Sequence, residues 1–134
     1  MFILKRFYLL FLLLFLIACN DFKEEKKYSY ESPDNHKNYK IHFIELGSVD
    51  CVPCKMMQPV MENIKKRFGD QVKITFYDVW TEKHKQYAQV YNINGIPTQV
   101  FLAPDGKEIY RHVGFFPEEE MVAMFKSLGI EPVQ

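Results

Sequence analysis

Four short runs of apolar residues, either alternating with polar ones or nearly continuous, end at turn residues and so have the pattern of β-strands. They predict strands over residues 41–46, 72–79, 98–102 and 109–113. The last two runs are separated by Pro104-Asp105-Gly106-Lys107, a sequence typical of a tight turn. These two strands are therefore predicted to form a hairpin.

A helix is predicted over residues 54–68, between the first two strands. Its apolar residues recur at helical spacing and share one side: Met57, Val60, Met61, Ile64 and Phe68. Pro59 lies inside this segment and is expected to kink the helix, because proline has no N–H to donate.

Two more helices are predicted from capping residues and spacing. Thr81 is placed to cap a helix that ends near Tyr91, with Tyr87, Val90 and Tyr91 on its inner face. Pro117 begins the last helix, which has three acids in its first turn and the apolar stripe Met121, Met124, Phe125 and Leu128. The order β-α-β-α-β-β-α predicts an α/β domain, with a central mixed sheet of about four strands flanked by helices.

Cys51-Val52-Pro53-Cys54 lies between the first strand and the first helix. Two thiols at this spacing can close as a disulfide or open as a dithiol, and a helix N-terminus favours the thiolate of the first cysteine. A zinc site would need two more ligands, whereas the third cysteine, Cys19, is distant and the histidines are scattered. A purely structural disulfide would gain little from so short a loop. Redox chemistry without a metal or another cofactor is the prediction that we favour.

Residues 1–18 are predicted to be a signal peptide, with Lys5 and Arg6 ahead of an apolar segment too short to span a bilayer. The segment ends in Leu16-Ile17-Ala18-Cys19, which resembles a bacterial lipobox and implies a lipid on Cys19. An uncleaved anchor, or a free Cys19 thiol after ordinary cleavage, are the alternatives. Residues 19–39 are polar and are predicted to be a lipidated N-terminus and flexible tether, in which Tyr28 and Tyr30 could add an edge strand.

The charge balance excludes one class of partner. The chain has 17 basic and 17 acidic side chains, and removal of Lys5 and Arg6 leaves about −2. No basic excess favours nucleic acid as a partner. We expect a monomer held at the membrane by the lipid on Cys19, in an oxidising compartment where a disulfide persists.

Several motifs in order resemble the thioredoxin family over about residues 40–128. Residues 51–59 are similar to its active-site segment, Gly95-Ile96-Pro97-Thr98 resembles its cis-proline loop, and residues 101–114 resemble its terminal hairpin. The resemblance implies a thioredoxin fold over residues 40–134, with Cys51 as nucleophile and Cys54 as resolving thiol. It also implies that Ile96 and Pro97, together with Val52 and Pro53, contact the substrate.

The resemblance implies a third catalytic residue, Glu45, where the family has a buried aspartate that accepts the proton of the resolving cysteine. A solvent-facing Glu45 is the alternative. The family's lysine near this carboxylate has no match around residues 76–78, and Trp80 is expected to pack rather than to act in the chemistry. Asp50 replaces the family's tryptophan, and an acid beside Cys51 disfavours its thiolate, which points to a reducing protein.

The function predicted is thiol:disulfide exchange outside the cytoplasm, on the periplasmic side of a bacterial cell envelope. Reduction of protein disulfides is favoured, with apocytochrome c among the candidate substrates in cytochrome c biogenesis. Such a reductase implies a transmembrane electron-donating reductase as partner. An oxidase or isomerase, and a non-enzymatic binding module, are the alternatives.

Overall fold

The fold was analysed in a computed structural model that describes residues 38–133. Its strands are β1 (Ile41–Gly47), β2 (Val72–Asp78), β3 (Thr98–Leu102) and β4 (Glu108–Val113). Its helices are α1 (Val52–Phe68), α2 (Gln86–Val90) and α3 (Glu118–Ser127), with a 3₁₀ turn over Gly69–Gln71. The predicted signal peptide over 1–18, Cys19, most of the tether over 19–39 and the edge strand at Tyr28 and Tyr30 lie outside the described residues.

The four strands form one mixed sheet, as predicted, and their order in the sheet is β2-β1-β3-β4. β1 pairs with β2 in parallel and with β3 antiparallel, and β3 pairs with β4 antiparallel. Leu46 pairs with both Tyr77 and Thr98, so β1 lies at the centre of the sheet. The segment that leaves β1 and enters the Cys-x-x-Cys motif is therefore anchored by strands on both sides.

Both faces of the sheet are covered, because residues of β1 alternate between two clusters of apolar side chains. Phe43 belongs to the larger cluster, under α1 and α3, where it stacks on Phe101 at 4.9 Å between ring centroids. Ile44 belongs to the smaller cluster on the opposite face, where Tyr77 stacks on Tyr87 at 3.7 Å. Two buried faces explain why β1 is almost entirely apolar.

An ion pair joins the two helices on the larger face. Arg67, in the last turn of α1, donates to Glu118, in the first turn of α3, at 2.8 Å. Each charge lies at the helix end that its sign favours, so the pair also complements both helix dipoles.

The second predicted helix is much shorter than expected, and this prediction is wrong in extent. Thr81 donates its hydroxyl to the Asp78 carbonyl at 2.7 Å, so it closes a turn after β2 instead of capping a helix. Hydrogen-bonded turns follow, and α2 begins only at Gln86. Val90, predicted to face inward, is 66% exposed.

Smaller differences concern element ends. α1 begins at Val52 rather than at residue 54, because Cys51 acts as its N-cap and Pro53 fits the first turn, where its missing N–H costs nothing. Leu128, predicted to be buried by α3, follows the end of that helix and is 44% exposed. No helix among residues 38–133 has the length and apolar character needed to cross a membrane.

Candidate active site

A hydrogen-bonded turn connects the end of β1 to the start of α1. The Ser48 hydroxyl accepts from the backbone N–H of Asp50 at 3.2 Å. The carboxylate of Asp78, at the end of the neighbouring strand, accepts from the N–H groups of Val49 at 3.3 Å and Trp80 at 3.1 Å. These hydrogen bonds join the loop that follows β1 to the loop that follows β2. They fix the position at which the Cys-x-x-Cys motif begins relative to the sheet.

Cys51 and Cys54 form a disulfide at the N-terminus of α1, with their Cα atoms 5.2 Å apart. Cys51 is the N-cap residue, and its sulfur accepts from the backbone N–H of Cys54 at 3.3 Å. Cys51 is 8% exposed, whereas Cys54 is fully buried. An incoming group can therefore reach the first sulfur, while the second is shielded behind it.

Gly47 lets the second cysteine approach the sheet closely. A Cβ at this position would lie 3.2 Å from the Cys54 Cβ, 3.3 Å from the Cys54 Sγ and 3.3 Å from the Phe76 ring. These distances are tighter than ordinary van der Waals contact, so a side chain at residue 47 would press on Cys54. The close approach brings Cys54 down onto the face of β1 that also carries Glu45.

Glu45 lies two residues before Gly47, so both face α1. The Glu45 side chain is fully buried, and neither carboxylate oxygen has a hydrogen-bond partner. Burial raises the pKa of Glu45 well above its ordinary value, since a low-dielectric site disfavours the charge. The nearby Gln99 amide opposes this rise in pKa in part, although it is not in hydrogen-bond contact with the carboxylate. The solvent-facing alternative for Glu45 is excluded.

The Ile96–Pro97 loop lies beside the same end of the sheet. The Ile96–Pro97 peptide bond is cis. Thr98 pairs with Leu46, so Pro97 comes next to the Gly47 end of β1, and its carbonyl accepts from the Gly114 N–H at 2.8 Å. Pro97 is buried and Ile96 is half-buried. The fold thus gathers the predicted residues Glu45, Cys54 and Pro97 at one end of β1.

Several apolar side chains of the motif, of α1 and of the turn after β2 face solvent. Val52 and Pro53 of the motif both face solvent, with Val52 70% exposed. Met56 and Trp80 are 50% and 62% exposed. The expectation that Trp80 packs inside is therefore wrong, because Asp78 turns the chain outward immediately before it.

Gln99 and Gly47 are parts of the site that the sequence did not reveal to us. Gln99 is the β3 residue opposite Glu45, and it is fully buried. An amide within the apolar run over 98–102 is the signal that could have identified it. Gly47 carried no such signal, since a glycine at the end of a strand is common in ordinary turns.

These features together define a site for thiol–disulfide exchange. The disulfide lies at a helix N-terminus, Cys51 is more exposed than Cys54, and the strand beneath has a carboxyl group with a raised pKa. Residues 26–129 match the thioredoxin-like domain family. The chain belongs to this family, and it is a thioredoxin-like oxidoreductase with a Cys-x-x-Cys disulfide.

Individual relatives agree with this assignment. The chain is 28% identical to the thioredoxin of Borreliella burgdorferi over 112 residues, which cover 84% of this chain and 88% of that protein. It is 38% identical to the thioredoxin of Bacillus subtilis over 71 residues, covering 53% and 65% of the two chains.

Solved structures resemble the same region. A thioredoxin of Malassezia sympodialis is 34% identical and superposes with a TM-score of 0.55, over 65% of this chain and 74% of that one. A mutant thioredoxin of Halobacterium salinarum, at 24% identity, superposes with a TM-score of 0.59 over 68% and 76%, and it supports the fold alone. The thioredoxin fold predicted from the motifs is thereby confirmed.

Proposed function

We propose that this protein reduces protein disulfides on the periplasmic side of a bacterial cell envelope, where a lipid on Cys19 anchors it to a membrane. The observation that carries the proposal is the unequal exposure of the two sulfurs above a buried carboxyl group. Cys51 is 8% exposed at the helix N-terminus, Cys54 is fully buried, and Glu45 lies on the face beneath. This asymmetry assigns different tasks to the two cysteines.

In the first step the Cys51 thiolate of the reduced protein attacks one sulfur of a substrate disulfide. A new bond joins Cys51 to that sulfur, the substrate S–S bond breaks, and the second substrate sulfur leaves as a thiolate that takes up a proton. The helix N-terminus favours the Cys51 thiolate. The exposed side chain of Val52, the residue after Cys51, would contact the substrate beside this sulfur.

In the second step Cys54 resolves the mixed disulfide. Its thiol gives a proton to the Glu45 carboxylate, and the resulting thiolate attacks the Cys51 sulfur. The Cys51–Cys54 disulfide forms and the substrate leaves fully reduced, so two electrons pass from protein to substrate. A carboxyl group whose pKa is raised by burial suits this exchange, because a raised pKa lies closer to that of a thiol and a proton is transferred best between groups of similar pKa.

A renewable supply of electrons is needed, since each turnover leaves the protein oxidised. A membrane-embedded dithiol reductase that carries electrons from the cytoplasm would restore the dithiol by the same exchange in reverse. Apocytochrome c thiols that have become oxidised are a candidate substrate class, because such thiols must be reduced before haem attachment.

Reduction of insulin disulfides by the soluble domain tests the activity. We expect the wild-type domain to reduce insulin, Cys51→Ser to be inactive, and Cys54→Ser to accumulate mixed disulfides that a reductant releases. Full activity of Cys51→Ser would overturn the assignment of the nucleophile. A domain that neither reduces insulin nor traps any partner would instead support a binding module.

The direction of electron flow is tested by the reduction potential. A value near −270 mV, as in thioredoxin, would support the reductase, whereas one near −120 mV would support an oxidase that makes disulfides. Equilibration of the purified domain with glutathione or dithiothreitol mixtures measures this value directly.

A further inference from the structure

Two buried polar side chains face each other across the centre of the sheet, and neither has a partner. Glu45 of β1 pairs with Gln99 of β3, and both side chains are fully buried. Both carboxylate oxygens of Glu45 and both polar atoms of the Gln99 amide lack hydrogen bonds. Directly opposed residues on antiparallel strands have Cβ atoms about 5 Å apart, so these side chains can reach each other.

Buried polar groups are costly unless they are hydrogen-bonded, and a rotation of the Gln99 amide would satisfy groups on both strands. The amide has an N–H donor and a C=O acceptor. It can therefore donate to the Glu45 carboxylate, and it can accept from the carboxylic acid once Glu45 has taken up a proton. The opposite neighbour of Glu45, Phe76 of β2, can do neither.

We propose that Gln99 is a positioning residue whose amide hydrogen-bonds Glu45 in both of its protonation states while the carboxyl group takes the proton of Cys54 and returns it. This inference rests on the proposed exchange reaction and deepens it. In this inference the Gln99 amide orients the Glu45 carboxyl group, and no cationic side chain among the described neighbours does so.

The other titratable groups on this face have partners of their own. Cys54 of α1 is the group with which Glu45 would exchange its proton. Asp78 of β2 lies two residues beyond Phe76, and its carboxylate accepts from two backbone N–H groups. His112 of β4 pairs with Gln99, and its ring stacks on Phe116 at 4.3 Å.

The charged groups of the two covering helices are also engaged or exposed. Glu118 of α3 pairs with Arg67 of α1 near the far end of that helix. Lys55 of α1, the residue after Cys54, is exposed. The effect of Gln99 on the titration of Glu45 is therefore separable from those of the surrounding charges.

Removal of the amide should raise the pH at which Glu45 titrates. A hydrogen bond to a charged group is about twice as strong as one to a neutral group, so Gln99→Leu costs the carboxylate more than the acid. We expect an upward shift of about one pH unit. At any pH below the wild-type midpoint, resolution by Cys54 should then slow by up to about tenfold, because a smaller fraction of Glu45 is ionised.

Nuclear magnetic resonance of the full soluble domain tests the pairing directly. The carboxyl carbon of Glu45 is titrated in the wild type, in Gln99→Leu and in Thr98→Val, which removes a buried hydroxyl from the adjacent position of β3. We expect the midpoint to rise only in Gln99→Leu. An unchanged midpoint in that variant would overturn the inference.

Two further measurements keep the test decisive. In the wild type, the side-chain N–H signals of Gln99 should shift with the same midpoint pH as the carboxyl carbon of Glu45. This measurement does not depend on the folding of any variant. N–H signals that do not shift as Glu45 titrates would overturn the pairing. In a Glu45→Gln background, Gln99→Leu should no longer move the pH profile of insulin reduction. An inactive wild type would contradict the proposed function, whereas the titrations would still decide whether Gln99 holds Glu45.

Discussion

The buried Glu45 carboxyl group makes the stability of the oxidised domain depend on pH. Its pKa is raised by burial, so between about pH 4.5 and the raised value the folded state keeps a proton that the unfolded chain has lost. The free energy of unfolding must therefore fall as pH rises through this window. The oxidised domain carries this cost above about pH 4.5, because the burial that raises the pKa of Glu45 also places this carboxyl group on the face of β1 beneath Cys54.

Replacement of Glu45 by glutamine should remove that cost. We expect Glu45→Gln to raise the free energy of unfolding above about pH 4.5, by an amount that grows as pH rises toward the raised pKa of Glu45, and to change it little at about pH 4. Urea unfolding of the oxidised proteins across this range measures the difference. Glu82→Gln, at an exposed residue paired with Lys85, is the matched control and should show no such trend.

Asp50 provides a test of the proposed role as a reductase. It is exposed and directly precedes Cys51, where its negative charge opposes the thiolate. We expect reduced Asp50→Asn to react with iodoacetamide about two- to threefold faster than the wild type near neutral pH, a small effect because water screens the charge. Asp70→Asn, an exposed acid at the far end of α1, should react at the wild-type rate. Equal rates in all three proteins would show that the charge of Asp50 does not affect the reactivity of Cys51, so Asp50 would give no support to a reductase.

The reactive pair could be predicted from the sequence because its chemistry depends on local spacing, and two cysteines at a helix start carry that information within four residues. The burial of Glu45 was implied by the family resemblance and not by any local pattern, since it depends on α1 covering one face of β1. Gln99 depends on the register of two strands that are more than fifty residues apart in the chain. Such information is absent from any local pattern.

The close contact between β1 and α1 should be sensitive to a single methyl group. In Gly47→Ala the new carbon would lie 3.2 Å from the Cys54 Cβ, while Phe76, a core residue, limits movement on the other side. We expect a loss of about 1–3 kcal/mol in the free energy of unfolding, as for other overpacked sites, and slower resolution by a displaced Cys54. Urea unfolding measures the first effect and release of trapped substrate the second.

A matched control is Gly95→Ala, because nothing lies within 4 Å of a Cβ at that position. This variant should unfold at nearly the same urea concentration as the wild type. If Gly47→Ala were as stable as Gly95→Ala, the close contact would not constrain Cys54.

Strands and long helices were predicted well, because their periodic patterns extend over many residues. The hairpin of β3 and β4 and the buried side of α1 followed from spacing alone. α2 was predicted too long because its aromatic residues suggested helical spacing. In the structure, Tyr87 of the short α2, which begins after a series of turns, is packed by ring stacking on Tyr77 of β2. Stacked aromatic side chains satisfy burial without a continuous helix, so spacing overestimates the length of such an element.

The proposed attachment to a membrane depends on the N-terminal segment that ends at Cys19. Cys19 is the only cysteine of the sequence outside the redox pair. If it is acylated as proposed, its replacement should release the protein from the membrane without changing thiol–disulfide exchange. We expect wild-type protein from cells to enter the detergent phase in a Triton X-114 partition, and Cys19→Ser to enter the aqueous phase. Insulin reduction by the two proteins should be equal.

Electron supply links this location to activity in the cell. A reductase held beside a membrane-embedded electron donor meets that donor at a high effective concentration, which a released protein loses. We therefore expect Cys51 and Cys54 to be mostly reduced in cells with wild-type protein and mostly oxidised in cells with Cys19→Ser, as measured by alkylation after acid quenching. An equally reduced pair in both strains would show that the anchor does not serve electron delivery, and partition of both proteins into the aqueous phase would contradict acylation itself.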